Sequence, residues 1–211
     1  MGNQQLKNTS GFKTGGAVSK KDLKYIRSRT NFSKEKIELW DEEFRRHCPE
    51  GIMTLDHFIS TTKYLFRSGD PTRYCRHAFR TFDVDGSGYL DFREFMVAID
   101  IMNTVDPHKK LSWLFSMCDG NNDGFISQDE LEDVIQGTFE LAGHSVSGDN
   151  VKQRASSLFK TLDTNADGQI SKEEFISCCL KNPEVMNLLS PSSYSSLRVM
   201  QQSPDCFQET V

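Results

Sequence analysis

The chain lacks several features that mark whole classes of protein. Its 211 residues contain no apolar run near the roughly 18 residues that a membrane-spanning helix requires. The leading residues, 1–5, include no apolar stretch of the kind found in a secretory signal. None of the six cysteines forms a C-x-x-C pair, so the sequence predicts reduced thiols in a cytoplasmic protein and no disulfide framework.

Motifs of several common enzyme classes are also missing from the sequence. There is no G-x-S-x-G nucleophile elbow and no phosphate-binding G-x-x-x-x-G-K-[ST] loop. The five histidines show no H-E-x-x-H spacing. We therefore predict that the protein is not an enzyme.

The charge of the chain is moderately acidic and unevenly distributed. Lys and Arg number 25 against 30 Asp and Glu, a net charge of −5, which argues against a nucleic-acid partner. Residues 1–105 hold 17 basic and 14 acidic side chains, whereas residues 106–211 hold 8 and 16. The first thirty residues carry seven bases and a single acid, Asp22. A basic leading segment therefore precedes an acidic second half.

Three twelve-residue segments repeat one pattern of acidic, amide and glycine residues. They are residues 83–94 (loop 2), 119–130 (loop 3) and 163–174 (loop 4), and each matches the EF-hand pattern D-x-[DN]-x-[DNS]-G with Glu at position 12. Ca²⁺ prefers roughly six to eight oxygen ligands, which such a loop supplies from positions 1, 3, 5, 7 and 12. The sequence therefore predicts three Ca²⁺ sites, with Mg²⁺ as a competing ion. The predicted ligands, with position 7 acting through its backbone carbonyl, are Asp83, Asp85, Ser87, Tyr89, Glu94, Asp119, Asn121, Asp123, Phe125, Glu130, Asp163, Asn165, Asp167, Gln169 and Glu174.

The segments that flank these loops have the apolar period of amphipathic helices, with spacings of i, i+3, i+4 and i+7. EF-hands pair, so three loops imply a fourth, and counting back 37 residues from Asp83 reaches loop 1 (46–57). Arg46, Cys48 and His57 replace its ligands at positions 1, 3 and 12. We predict that loop 1 is structural, free of metal and paired with loop 2. The predicted fold class is all-α, with four EF-hands in two paired lobes.

The chain divides into four regions on this interpretation. Residues 1–24 form a basic N-terminal segment with an acylation signal, and residues 25–103 form an N-lobe with EF-hands 1 and 2. Residues 104–189 form a C-lobe with EF-hands 3 and 4, and residues 190–211, rich in serine and proline, form a disordered tail.

The sequence resembles the neuronal calcium sensor family, the recoverin-, visinin- and frequenin-like EF-hand proteins. The resemblance is carried by the run from Trp40 to Cys48-Pro-Glu-Gly51, by the disabled first loop followed by three complete loops, and by the leading Met1-Gly-Asn. It covers residues 25–190 and implies a calcium sensor that regulates a membrane-associated receptor kinase, guanylate cyclase, channel or lipid kinase.

The N-lobe is rich in aromatic residues, which favours a sensor over a passive buffer. In EF-hand sensors, ion binding swings the helices apart and exposes an apolar groove for an amphipathic helix of the target. The residues predicted to line this groove are Trp40, Phe44, Phe58, Tyr64, Phe79, Phe82, Phe92 and Phe95.

Gly2 is the predicted site of N-myristoylation, although Leu6 departs from the Ser or Thr of the signal M-G-x-x-x-[ST]. One acyl chain binds membranes only marginally, and the bases of residues 1–30 supply the second attraction. We expect a cytoplasmic protein that associates reversibly with the membrane surface, and the resemblance implies that calcium releases the acyl chain.

Two other functions fit the same loops. A passive calcium buffer has identical ligands, and a fixed regulatory subunit similar to calcineurin B shares acylation and paired hands. The sequence leaves the oligomeric state and the identity of the target open.

Overall fold

The computed structural model describes residues 18–66, 69–144 and 148–182, together with Val185 and Leu189. The predicted acylation site Gly2 and the tail 190–211 lie outside the described residues. The described part of the chain is predominantly helical and its strands are two or three residues long. The predicted all-α class is therefore confirmed.

Two EF-hands make up each lobe. In the N-lobe, the chain passes through α1 (Lys20–Arg29), α2 (Lys34–His47), β1 (Ile52–Thr54), α3 (Leu55–Leu65), α4 (Thr72–Phe82), β2 (Tyr89–Asp91) and α5 (Phe92–Asn103). In the C-lobe, it passes through α6 (Pro107–Cys118), β3 (Phe125–Ile126), α7 (Gln128–Leu141), α8 (Gly148–Leu162), β4 (Ile170–Ser171) and α9 (Lys172–Lys181). None of the helices in the described ranges has both the length and the apolarity needed to cross a bilayer.

The helix that leaves each complete loop begins with a reciprocal cap. Asp91 caps α5, Ser127 caps α7 and Ser171 caps α9, and in each case the glutamate three residues later bonds back to the cap amide. Position 9 of the loop therefore starts the exiting helix, and the ligand at position 12 belongs to its first turn. Loop geometry and helix direction are set by the same side chains.

The loops are joined in pairs by short antiparallel strands. Met53 of loop 1 lies opposite Leu90 of loop 2, and Ile126 of loop 3 lies opposite Ile170 of loop 4. These are the apolar residues at position 8, and all four are buried. The predicted pairing of loop 1 with loop 2 is confirmed.

The buried apolar side chains of both lobes form one contiguous cluster. In the N-lobe, Phe44 packs between Phe92 and Phe95, with ring centroids 5.5 and 4.9 Å away. In the C-lobe, Phe115 packs edge-on against Phe175. Since α4 packs on α6 and α7, the two lobes share a helical interface.

Candidate metal centres

Loop 2 brings three carboxylates together at one point. Oxygens of Asp83, Asp85 and Glu94 lie within 4.8 Å of one another. The backbone holds the first of them in place, because the amides of Ser87 and Gly88 each donate to one Asp83 oxygen at 2.9 Å. A set of hard oxygen donors at this separation suits a divalent cation such as Ca²⁺.

Loops 3 and 4 repeat the hydrogen bonds of loop 2 around position 1. The amides at positions 5 and 6 donate to the first aspartate at 3.1 and 3.1 Å in loop 3, and at 3.2 and 3.0 Å in loop 4. The position 6 glycines make this possible, because Gly88, Gly124 and Gly168 all have φ between 83° and 89°. The three loops therefore share one backbone conformation.

The glutamate at position 12 closes each loop from the opposite side. One carboxylate oxygen accepts from the amide at position 2, at 2.9 Å for Glu94, 2.9 Å for Glu130 and 3.1 Å for Glu174, and from the amide at position 3. The other oxygen accepts from the cap amide at position 9, at 3.1, 2.9 and 3.0 Å. Each glutamate thus links the start of its loop to the start of the next helix.

The surroundings give the three glutamates different acidities. Burial raises the pKa of Glu94. Burial acts in the same direction on Glu130, but the hydrogen bonds from Ser127, Gly120 and Asn121 together lower its pKa. The backbone and side-chain hydrogen bonds from Ser171 lower the pKa of Glu174 to about 2.

Loop 1 replaces the ligands at positions 1, 3 and 12 with an arginine, a thiol and an imidazole. The thiol of Cys48 at position 3 lies 3.5 Å from Nδ1 of His57 at position 12. Burial raises the pKa of the Cys48 thiol to about 12 and lowers the pKa of His57. Arg46 at position 1 pairs with Glu43 of its own helix at 2.7 Å. This loop therefore keeps the shape of the hand with an arginine and neutral groups in place of acidic ligands.

All fifteen predicted ligand residues lie in loops 2, 3 and 4, within the described residues. The backbone carbonyl of Tyr89 is the predicted ligand at position 7. It accepts a hydrogen bond from Ser87 Oγ at 2.9 Å and so lies next to another predicted oxygen ligand of loop 2. When bound, Ca²⁺ would supply a charge that draws these oxygens inward. The side chains and carbonyls of the loops would hold it.

Comparison with known proteins agrees with the assignment of these loops to EF-hands. The family model of an EF-hand domain pair matches residues 108–179, and the family model of a single EF-hand domain matches residues 74–102. Visinin of Gallus gallus is 30% identical over 179 residues, which are 82% of this chain and 93% of visinin. Recoverin of Homo sapiens is 31% identical over 184 residues, which are 82% of this chain and 90% of recoverin.

The chain belongs to the neuronal calcium sensor family of EF-hand proteins. The resemblance inferred from the disabled first loop is confirmed, and Ca²⁺ is the ion that EF-hands of this kind bind.

In this member of the neuronal calcium sensor family, the predicted groove residues lie inside the N-lobe. Trp40, Phe44, Phe79, Phe82, Phe92 and Phe95 are buried, and Phe58 and Tyr64 are half-buried. Of these residues, Phe58 and Phe95 line an apolar cavity of about 30 Å³, together with Cys75 and Leu90 among others. The N-lobe is closed in this structure.

Two arginines contact the calcium loops, and neither of them was identified from the sequence. Arg93, at position 11 of loop 2, bonds to the Asp91 carboxylate and lies over the ring of Tyr25 in α1, 5.5 Å from its centroid. Arg80 of α4 bonds to the backbone of loop 3. The contacts of Arg93 with Tyr25 and of Arg80 with loop 3 depend on how α1 and the C-lobe pack, so no spacing rule predicts them.

Proposed function

We propose that this protein is a calcium sensor that binds Ca²⁺ at loops 2, 3 and 4 and then opens its N-lobe to an amphipathic helix of a membrane-associated target. The observation that carries the proposal is that both carboxylate oxygens of each position 12 glutamate accept backbone hydrogen bonds, one from the start of the loop and one from the start of the next helix. Glu94 accepts from Val84 at the start of loop 2 and from Asp91 at the start of α5. Ion binding would compete for both carboxylate oxygens, since position 12 is a bidentate ligand. Ion binding at Glu94 would therefore act on the first turn of α5.

The N-lobe contains the apolar surface that such a movement would expose. Phe92 and Phe95 lie on α5 and are packed against Phe44 of α2. Phe58, which lines the cavity together with Phe95, contacts Phe79 with ring centroids 5.9 Å apart. Separating α5 from these helices would widen the closed cavity into a groove. Aromatic walls of this kind suit the apolar face of a helix.

A second contact links loop 2 to the basic N-terminal helix. Arg93 lies over Tyr25, and its Nε is 3.8 Å from an Asp22 oxygen, so α1 rests against the loop itself. The outer side of α1 carries exposed bases, each worth about 1 kcal/mol near an anionic lipid surface. These bases are Lys20, Lys21, Lys24 and Arg27.

We propose on this basis that α1 and an acyl group on Gly2 together form the membrane attachment. One acyl chain gives marginal binding by itself, so both signals are required. Release of α1 from Arg93 when loop 2 fills would make attachment depend on calcium. The cytoplasm is then the location of the ion-free form.

The test measures exposure of apolar surface and membrane binding on the full chain. Calcium should raise the fluorescence of a hydrophobic probe, and the triple variant Glu94→Gln, Glu130→Gln, Glu174→Gln should show no rise. Myristoylated protein should pellet with phosphatidylserine-containing vesicles in calcium and remain in solution with chelator. Gly2→Ala is the control for the acyl chain.

The probe experiment distinguishes a passive buffer, and capture of a partner from membrane extracts distinguishes a fixed regulatory subunit. A passive buffer binds calcium without any rise in probe fluorescence. A fixed regulatory subunit captures its partner equally well in calcium and in chelator. Either result would overturn the sensor function while leaving the ion sites intact.

A further inference from the structure

One arginine of the N-lobe holds the backbone of a C-lobe calcium loop. The guanidinium of Arg80 in α4 donates to the carbonyls of Ser116 at 3.2 Å, Met117 at 3.0 Å, Asp119 at 3.2 Å and Gly120 at 2.6 Å. All four carbonyls belong to the end of α6 or to the first two positions of loop 3.

Three of these carbonyls, those of Ser116, Met117 and Asp119, are among the ones that a helix leaves without partners at its C-terminus. A cation is favourable there because it also opposes the negative end of the helix dipole. The planar guanidinium offers several donors in a fixed fork, whereas the ammonium of a lysine acts as a compact point charge. Arg80 therefore caps α6 from another lobe through a geometry that lysine cannot reproduce.

The capped peptides carry ligands of site 3. Asp119 supplies the first ligand from its side chain, and the Gly120 amide donates to Glu130 Oε1 at 2.9 Å. The contact is close, because a Cβ built on Gly120 would lie 3.0 Å from Arg80 Nη1 and 3.3 Å from that glutamate oxygen. Arg80 thus fixes the backbone beside both the first and the last side-chain ligand of loop 3.

The same arginine belongs to the helix that enters site 2. Arg80 precedes Asp83, the first ligand of loop 2, by three residues. The end of α4 is anchored to α6, since Thr81 accepts from the indole of Trp113 at 2.7 Å and Phe82 stacks on the same ring. A shift of α4 when site 2 fills would therefore be transmitted to α6 and, through the Arg80 guanidinium, to loop 3.

We infer that Arg80 is a positioning residue of the third calcium site, contributed by the N-lobe, and that it couples ion occupancy of sites 2 and 3. The inference rests on the proposed binding of Ca²⁺ at these loops. Because coupling between two binding sites is reciprocal, ion at site 3 affects site 2 by the same factor.

The decisive variant is Arg80→Lys, because it keeps the positive charge and removes the planar arrangement of guanidinium donors. A loss of affinity at site 3 then does not come from a change in net charge beside the ion. Arg76→Lys is the matched control, since Arg76 is an exposed residue of the same helix. Far-UV circular dichroism and urea unfolding of both variants establish that α4 is intact.

Site-resolved NMR titration with Ca²⁺ provides the readout. The amides of Gly88, Gly124 and Gly168 each bond to the first aspartate of their own loop and so report sites 2, 3 and 4 separately. Glu94→Gln disables site 2 and is combined with each arginine variant.

We expect Arg80→Lys to weaken Ca²⁺ binding at site 3 by about fivefold or more, and Arg76→Lys to leave it unchanged. With Arg80 present, Glu94→Gln should alter the site 3 dissociation constant by about fivefold, and in the Arg80→Lys chain by less than about twofold. Wild-type affinity at site 3 in Arg80→Lys, or an undiminished effect of Glu94→Gln in that variant, would overturn the inference. Absence of any saturable shift at the three glycines would instead overturn the proposed calcium binding.

Discussion

Trp113 of α6 stacks on Phe82 of α4, with ring centroids 5.5 Å apart and ring planes inclined by 5°. Its indole nitrogen donates to the hydroxyl of Thr81 at 2.7 Å. Phe82 directly precedes Asp83, the first ligand of loop 2, so this contact between the lobes is adjacent in sequence to a calcium site. The lobes are joined by packing and hydrogen bonds close to the ligands.

The Thr81 hydroxyl should stabilise the interface. Thr81→Val would leave the buried indole N–H without its acceptor, and we expect a loss of about 1–3 kcal/mol in the free energy of unfolding. Thr81→Ser, which keeps the hydroxyl, is the control. Urea unfolding provides the measurement, and equal midpoints for the valine and serine variants would contradict the prediction.

Replacement of a single position 12 glutamate should remove a single calcium site. Gln at this position loses one carboxylate charge and weakens two-oxygen coordination. Isothermal titration calorimetry should show three sites in the wild type and two in Glu94→Gln, Glu130→Gln or Glu174→Gln. We expect Glu94→Gln to reduce affinity most, because its loop holds four carboxylates at positions 1, 3, 9 and 12.

Glu173→Gln provides a matched control for this series. Glu173 is exposed and adjacent to Glu174, so the substitution removes the same charge from the same helix turn without altering a ligand. Three sites should remain in this variant. A full set of sites in all three ligand variants would refute the assignment of these glutamates.

The disabled loop should support site 2 through its strand. Met53 is buried opposite Leu90, and Met53→Ala should destabilise the protein by about 2–5 kcal/mol because it leaves a cavity. We also expect weaker Ca²⁺ binding at site 2, although no ligand changes. Met53→Leu conserves volume and should cost less than about 1.5 kcal/mol. Unaltered unfolding and calcium affinity in Met53→Ala would show that loop 1 is dispensable.

Stability should decline on mild acidification, in part through His77. Burial lowers the pKa of His77 below its usual value of 6.5, and the nearby Asp133, with Oδ2 2.8 Å from Nε2, opposes this only partly. Since the folded state favours the neutral ring, this stabilisation is present above pH 6.5 and is lost as the pH falls through the lowered pKa. His47 and His57 act in the same direction.

NMR titration of the His77 ring checks the direction of the pKa shift. Urea unfolding between pH 7.5 and 5.5, conditions chosen to span the histidine range, should show a smaller decline in His77→Gln than in the wild type. A His77 pKa above the usual value would reverse the sign of its contribution.

The sequence sufficed to predict the loops because each ligand is set by local spacing. The three repeats placed Asp83, Asp119 and Asp163 at equivalent positions, and counting back 37 residues from Asp83 located the fourth hand despite its lost ligands. The predicted pairing of loop 1 with loop 2 is the one that the structure shows at Met53 and Leu90.

Contacts between elements far apart in the sequence could not be predicted. Arg80 reaches Gly120 across 40 residues, and Arg93 meets Tyr25 of α1, only because the helices pack in one particular arrangement. The aromatic content of the N-lobe was evident, but whether those rings form an open groove or a closed core depends on helix angles. In this structure they form a closed core.

Cys75 offers a direct probe of the opening of the N-lobe. It is fully buried and lines the apolar cavity, and burial raises the pKa of its thiol to about 12. A thiol in this position reacts only when the helices around it separate. Cys118, buried in the C-lobe, serves as an internal control within the same wild-type chain.

The most direct measurement is the alkylation rate of Cys75 with calcium and with chelator, read by mass spectrometry of its peptide. Calcium should speed modification of Cys75 by about tenfold or more, as expected when a buried element becomes an open one, and should have a smaller effect on Cys118. Equal rates for Cys75 in the two conditions would contradict the calcium-dependent opening on which the sensor function depends.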